Sequence, residues 1–175
     1  MEPLPQLIMR INLERFTPPP LGEAYEAHTH TSGNEQAWEE IIEGAFGTHF
    51  DFDFLIKAGG YAPEHVFYIR RGGLDLATTT AVENPAYPGE GWLRMVGVRP
   101  GESGKGLGKA IVSLALASLR ERGYQTAVLS TDDERIPALC TYLSLGFRPV
   151  YTHKSHQERW QRLKEILPER FAELI

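Results

Sequence analysis

Val98-Arg99-Pro100-Gly101-Glu102-Ser103-Gly104-Lys105-Gly106-Leu107-Gly108-Lys109 is the stretch on which the fold turns. Before it lies a β-type run, Trp92-Leu93-Arg94-Met95-Val96-Gly97-Val98. After it, from Lys109 to Arg122, Ile111, Leu114, Ala115 and Leu119 recur at i, i+3, i+4 and i+8, the period of an amphipathic helix closed by Gly123. The glycines at 104, 106 and 108 carry no Cβ, so the chain can turn tightly there and approach a ligand closely. The first N–H groups of the following helix lack internal acceptors and carry the positive end of its dipole. Backbone donors with Lys105 and Lys109 therefore suit a phosphate or pyrophosphate.

Two familiar phosphate loops fit poorly. A Walker A loop needs Gly-x-x-x-x-Gly-Lys-Ser/Thr, but Arg99 stands five positions before Gly104, and Gly106 follows Lys105. A dinucleotide fingerprint needs Gly-x-Gly-x-x-Gly; here the pattern is Gly-x-Gly-x-Gly, set several residues past the strand. Asp132, 24 residues beyond Gly108, could stand in for a ribose-binding acid, which keeps a nicotinamide dinucleotide as an alternative.

Upstream, Leu7, Met9, Ile11 and Leu13 alternate in a first strand, Gln6 to Leu13, and Thr17-Pro18-Pro19-Pro20 reads as an extended connection within one domain. Ser32 and Asn34 are helix-start residues before Glu35 to Phe46, where Trp38, Ile41, Ile42 and Ala45 share a face. A short helix is expected after Asp51 or Asp53, ending at Ala58-Gly59-Gly60. His65 to Arg70 and Leu74 to Val82 are β-type runs joined by Arg71-Gly72-Gly73, a hairpin signal. Downstream, Gln125 to Thr131 reads as a buried strand, Ile136 to Leu145 as a helix stopped by Gly146, and Phe147 to Tyr151 as a final strand. Ser155-His156-Gln157-Glu158 has capping-box spacing and starts a last helix bearing Trp160, Leu163 and Leu167, ended by Pro168. The result is an α/β (α+β) reading: an antiparallel meander that turns into a βαβ unit, with residues 1–175 as one domain.

The second informative segment is Ser130 to Pro149, containing Ala138-Leu139-Cys140-Thr141-Tyr142-Leu143-Ser144-Leu145-Gly146-Phe147. Together the two segments resemble the GCN5-related N-acetyltransferase (GNAT) family. Its acetyl-CoA loop reads Gln/Arg-x-x-Gly-x-Gly/Ala after Val-x-Pro, and its later signature is Ala-Leu-x-x-Tyr-x-x-Leu-Gly-Phe. The resemblance is strong from about Trp92 to Pro149, with the acetyl-CoA-binding core at about 92–149, and thin before it. One departure stands out: the family's usual Arg or Gln is Ser103 here, which leaves Arg99, Lys105 and Lys109 to supply the charge.

The resemblance implies a mixed central sheet whose parallel strands, ending at Val98 and Thr131, splay apart. The donor's pantetheine arm would lie in the gap on backbone groups near Val96 and Val98, with Gly97 as the bulge that starts the splay. The pyrophosphate would sit on Ser103, Gly104, Lys105, Gly106, Leu107 and Gly108, beside Lys109. Tyr142 would donate a proton, or a hydrogen bond, to the departing thiolate. The implied activity is direct transfer of an acetyl group from acetyl-CoA to a primary amine of a small molecule or peptide. An acyl-CoA-binding module of the same fold without turnover remains an alternative.

The general base is not fixed by this pattern. Glu83, Glu90, His65 and Asp132 are candidates; Glu90, just before the splayed strand, ranks first, and Trp92 to Met95 offers no carboxylate. His28-x-His30 looks like a loop and lacks a third ligand, so no metal is expected. His153 and His156 follow the last strand and could touch the acceptor, while Trp38 and Trp160 read as core.

Composition narrows the partners. Eighteen Lys and Arg against twenty-three Asp and Glu give a net charge of −5 over 175 residues, which speaks against a general affinity for nucleic acid or anionic membrane. Cys140 is the single cysteine, so no intrachain disulfide forms. Met1 to Pro5 has neither a basic nor an apolar leader region, and no run approaches 18 apolar residues. A cytoplasmic protein is the expectation, and a homodimer is left open.

Overall fold

The computed structural model describes residues 4–31, 33–57, 59 and 61–175. Ser32 and the expected helix end at Ala58 and Gly60 lie outside the described residues. Among the described residues seven strands form one sheet: β1 (Leu7–Asn12), β2 (Glu26–Thr29), β3 (Val66–Arg71), β4 (Leu74–Glu83), β5 (Gly91–Val98), β6 (Thr126–Thr131) and β7 (Arg148–Val150), in the order β2-β3-β4-β5-β6-β1-β7. Every pairing is antiparallel except β5 with β6. The helices are α1 (Glu35–Phe46), α2 (Leu107–Glu121), α3 (Ile136–Leu145) and α4 (Lys154–Ile166). The expected meander is β3-β4-β5, and the expected βαβ unit is β5-α2-β6.

The hairpin between β3 and β4 turns on Gly72 and Gly73, both at positive φ (58° and 82°), as a two-residue turn matched to strand twist requires. Residues 75–82 of β4 are all buried, which suits a strand covered on both sides. Alternate residues of β3 enter different apolar clusters. Val66 and Tyr68 pack with Trp38 and Ile42 of α1, and Ile69 packs with the cluster containing Ile111 and Leu119 of α2. Since side chains alternate across a strand, α1 and α2 cover opposite faces. Trp38 and Trp160 are fully buried core residues.

Four local expectations are corrected. The His28-x-His30 region contributes a strand, β2. With only Glu26 to Thr29 and no apolar alternation it carries little sequence signal, and it is placed by pairing to β3 and by His28 Nε2 against Asp75 Oδ1 at 2.6 Å. α2 starts at Leu107, two residues early, because that side chain is buried. α4 starts at Lys154, capped by His153, whose Nδ1 accepts from the Ser155 N–H at 3.2 Å; Ser155 is therefore inside the helix. Gly97 is not the bulge, as the site geometry makes plain. A 3₁₀ segment, Glu169–Leu174, closes the chain and was not expected.

Candidate active site

β5 and β6 pair at Gly91–Ala127, Trp92–Val128 and Leu93–Leu129, and no further, although both strands continue. The cause lies in β5. On its other side Thr80 stands opposite Arg94 and Thr78 opposite Gly97, so one residue of β4 faces two of β5, Met95 and Val96. That extra residue is a bulge, and Met95 carries it at φ 55°, a left-handed conformation costing a side-chain-bearing residue roughly 1 kcal/mol. Gly97 has another task. A Cβ there would lie 2.9 Å from Ile42 Cδ1 and 3.1 Å from Ile41 Cγ2, so its absence lets α1 lie close on the bulged strand.

The parted strands open into a cleft of about 790 Å³ running to the start of α2. Of the expected donor-binding residues, Val96, Val98, Ser103, Gly104, Gly106, Leu107, Gly108 and Lys109 line it, and Lys105 does not. Gly104 and Gly106 both adopt φ 79°, with nothing within 4 Å of where a Cβ would stand. Gly106 caps α2 without a side-chain acceptor, so the first N–H groups of the helix remain available to a ligand. This arrangement fits the diphosphate of a coenzyme A.

The cations are deployed differently from the sequence expectation. Lys105 Nζ is held by Glu102 Oε2 at 2.9 Å, and Glu102 also takes Arg71 at 3.1 Å. Arg99 lies between Glu40 Oε2 and the Asp75 carbonyl, each at 3.0 Å. Lys109 remains on the cleft wall, and Arg170, from the terminal 3₁₀ segment, joins it. No spacing rule connects Arg170 to the loop; only the packing of Phe171 into the core brings it there.

Tyr142 sits where this cleft meets a second cavity of about 310 Å³, bordering both, as do Val96 and Arg135. It is nearly fully buried, in edge contact with Phe147. Burial pushes its phenol up to about 12, against the opposing charge of Arg135. A coenzyme thiol has a pKa of about 8.5, so complete proton transfer from resting Tyr142 is uphill by about 5 kcal/mol. The phenol is thus suited to donating a hydrogen bond as negative charge develops on sulfur.

Glu90 is engaged away from both cavities. Both of its oxygens accept from Arg10, at 2.7 and 2.8 Å, and Oε2 also accepts from Thr126 Oγ1 at 2.8 Å. These hydrogen bonds hold its carboxyl below the ordinary glutamate range. It lies beside the closed end of the β5–β6 pair and lines neither cavity. Glu83 accepts from the Tyr124 hydroxyl, Asp132 accepts from Gln6 Nε2, and neither they nor His65 lines a cavity. His153 is spent on the α4 cap and His156 is fully buried. Among the described residues no group of three His, Cys, Asp or Glu could hold a metal, and no helix is long and apolar enough to cross a membrane.

Of the walls of the second cavity, the sequence points to Val96 and Tyr142 as site residues and not to the rest. Arg94 and Trp92 were seen only as strand residues, Phe46 only as a helix end, and Arg135 only as part of a motif. Their common signal is weak, because they meet through the bulge at Met95.

Comparison with known proteins agrees with this geometry. The family model described as Acetyltransferase (GNAT) family matches residues 23–147. A mycothiol acetyltransferase of Beutenbergia cavernae is 28% identical over 148 residues, covering 80% of this chain and 50% of that protein. One from Streptomyces bingchenggensis is 30% identical over 143 residues, covering 77% and 46%. The chain thus spans about half the length of these curated relatives. The crystal structure of a GCN5-related N-acetyltransferase from Sphaerobacter thermophilus superposes with a TM-score of 0.70 at 26% identity, covering 84% of this chain and 50% of that one. That family uses acetyl-CoA as its acyl donor. The parted strands, the glycine loop at the mouth of α2 and the match over 23–147 agree: this chain belongs to the GNAT acetyltransferase family.

Proposed function

We propose that the chain moves an acetyl group directly from acetyl-CoA to a primary amine of a small molecule or peptide, with residues 1–175 acting as one transferase domain and about 92–149 as its donor-binding core. The observation that carries this reading is the position of Tyr142 at the junction of the two cavities. The larger suits the donor: the α2 N-terminus and Lys109 take the diphosphate, and the unpaired edge of β5 beyond Leu93 takes the pantetheine arm. Arg135 Nη2 rests on the Val96 carbonyl at 3.4 Å, a long bond that an incoming amide N–H can displace.

The smaller cavity holds the acceptor. As the amine nitrogen bonds to the acetyl carbon and the C–S bond breaks, Tyr142 donates a hydrogen bond to the sulfur that leaves with the electron pair. The proton lost from nitrogen passes to solvent, since among the described residues no carboxylate or histidine lines the acceptor cavity.

Two measurements test the reading. Calorimetry should show micromolar binding of acetyl-CoA and none of NAD(H). Incubation with acetyl-CoA and a panel of amines should release free thiol only when an amine is present. Tight binding without amine-dependent release across the panel would instead favour an acyl-CoA-binding module.

A further inference from the structure

The acceptor cavity carries a charge pattern opposite to that of the molecule. The chain has five more acids than bases, and six of its arginines hold carboxylates in ion pairs: Arg10, Arg70, Arg71, Arg99, Arg159 and Arg162. Arg94 and Arg135, both half-buried on the cavity wall, hold no carboxylate among the described residues. Arg94 Nη1 donates to the Tyr61 hydroxyl, and its guanidinium lies 5.4 Å from the centre of that ring. Arg135 stacks over Phe46 at 4.0 Å and reaches the Val96 carbonyl. Neutral partners thus hold both guanidiniums in place without neutralising them.

Among the described residues no Asp or Glu lines this cavity; its other polar walls are the amides of Gln6 and Asn84 and the hydroxyls of Ser130 and Tyr142. Two acids close in sequence to Arg135 are placed elsewhere. Asp132 accepts from the Gln6 amide at 3.0 and 3.1 Å and lines neither cavity, and Glu134 lines the larger cleft and not this cavity. A polyamine or aminoglycoside entering here would bring several positive charges against two fixed ones with no carboxylate to receive them. Like charges in a partly dry pocket repel strongly, so that class is disfavoured.

We infer that the acceptor is an amine that also bears a carboxylate or phosphate, held by Arg94 and Arg135 so that its nitrogen faces Tyr142 and the donor thioester. A guanidinium fork matches either anion in two-point geometry. Phe46 and Trp92 supply apolar walls for the rest of a small acceptor within about 310 Å³. The same two cations disfavour the protonated form of a nearby amine, so the nitrogen can shed its proton without a carboxylate base. This assignment rests on the acetyl-transfer reading and adds the substrate class to it.

The test compares matched acceptors with acetyl-CoA in the wild-type chain: L-phenylalanine against L-phenylalaninamide, and glucosamine 6-phosphate against glucosamine, with spermidine as the polycation. The expected result is a kcat/KM at least about 10-fold higher for the anionic member of one pair, which also identifies carboxylate or phosphate as the preferred anion. In Arg94→Gln, which borders only the acceptor cavity, KM for that anionic acceptor should rise roughly 10- to 100-fold. KM for its neutral partner and the affinity for acetyl-CoA should stay within about 3-fold. Acetylation of spermidine or of the neutral members with equal or greater efficiency would overturn the anion assignment while leaving acetyl transfer standing. An Arg94→Gln loss shared equally by charged and neutral acceptors would overturn it too. Acetyl-CoA binding with no thiol release for any amine would overturn transfer itself, and the acceptor assignment with it.

Discussion

Leu93 and Leu129 are the last facing residues of the two parallel strands, and Met95, two positions beyond Leu93, carries the left-handed bulge that turns β5 away from β6. The separation therefore comes from one surplus residue in β5 against β4. Everything at the site hangs from it: the unpaired edge at Val96 and Val98, the cleft, and the meeting of Arg94, Arg135 and Tyr142.

Tyr142→Phe should reduce turnover by roughly 100-fold, the usual scale for losing one donor to developing charge, while calorimetric affinity for acetyl-CoA stays within about 2-fold. The ring is buried against Phe147, so losing only the hydroxyl preserves packing. Unaltered thiol release would reduce Tyr142 to a core residue.

Burial raises the Tyr142 phenol to about 12, so its proton stays in place through pH 10. The folded state then holds a proton that an unfolded tyrosine gives up near 10. This contribution to stability is complete below pH about 10 and is lost as pH rises towards 12. Denaturant midpoints for the wild type should fall more steeply between pH 10 and 11 than those of Tyr142→Phe.

For Glu90 the sign is opposite. Its carboxyl is held low by Arg10 and Thr126, so the unfolded state takes up the proton first as the medium acidifies. The stabilisation is present above pH about 4.5 and is lost as pH falls through the lowered value. Glu90→Gln should cost about 1 kcal/mol at neutral pH, a modest figure because Arg10 is 38% exposed and solvent screens the pair. The variant should keep wild-type kcat and its pH profile. A tenfold loss of kcat at unchanged fold would return Glu90 to the reaction.

Gly108→Ala separates donor binding from folding. Its added Cβ would meet Thr141 Oγ1 at 3.7 Å and Val98 Cγ2 at 3.8 Å, ordinary contacts, and its backbone is not left-handed. Thermal stability should hold or rise slightly, since alanine suits a helix better. Both neighbours border the donor cleft, so acetyl-CoA affinity should drop about 10-fold, read by calorimetry.

Gly44→Ala tests a close approach on the other wall. Alanine would favour α1 by about 1 kcal/mol in isolation, but its Cβ would fall 2.5 Å from two ring carbons of Pro100, and a proline ring cannot swing aside. The overlap outweighs the propensity, and the variant should lose about 1–3 kcal/mol in chemical denaturation.

Much of the architecture was legible in the chain. The 3.6-residue pattern of α1 and α2, the Gly72-Gly73 turn and the glycine loop ahead of α2 are local signals, decided by sterics and periodicity within a few residues. β2 was not legible: four half-exposed residues carry no pattern, and their partner β3 lies some forty residues on. The capping-box reading at Ser155 failed for a related reason, since His153 offered a competing acceptor that a spacing rule does not weigh.

The site divides along the same line. The places of Gly104, Gly106 and Tyr142 on the cleft wall were legible from order and spacing, because they depend on backbone freedom and on position within one helix. The setting of Glu90 was not legible, because Arg10, eighty residues away, claims it across β6. Arg94 and Arg135 were overlooked because a charge declares its role only through the partners it has or lacks, and those are set when distant segments pack. The sequence by itself determined the glycine loop at the mouth of α2; tertiary structure alone decided which charges were left over on the walls of the smaller cavity.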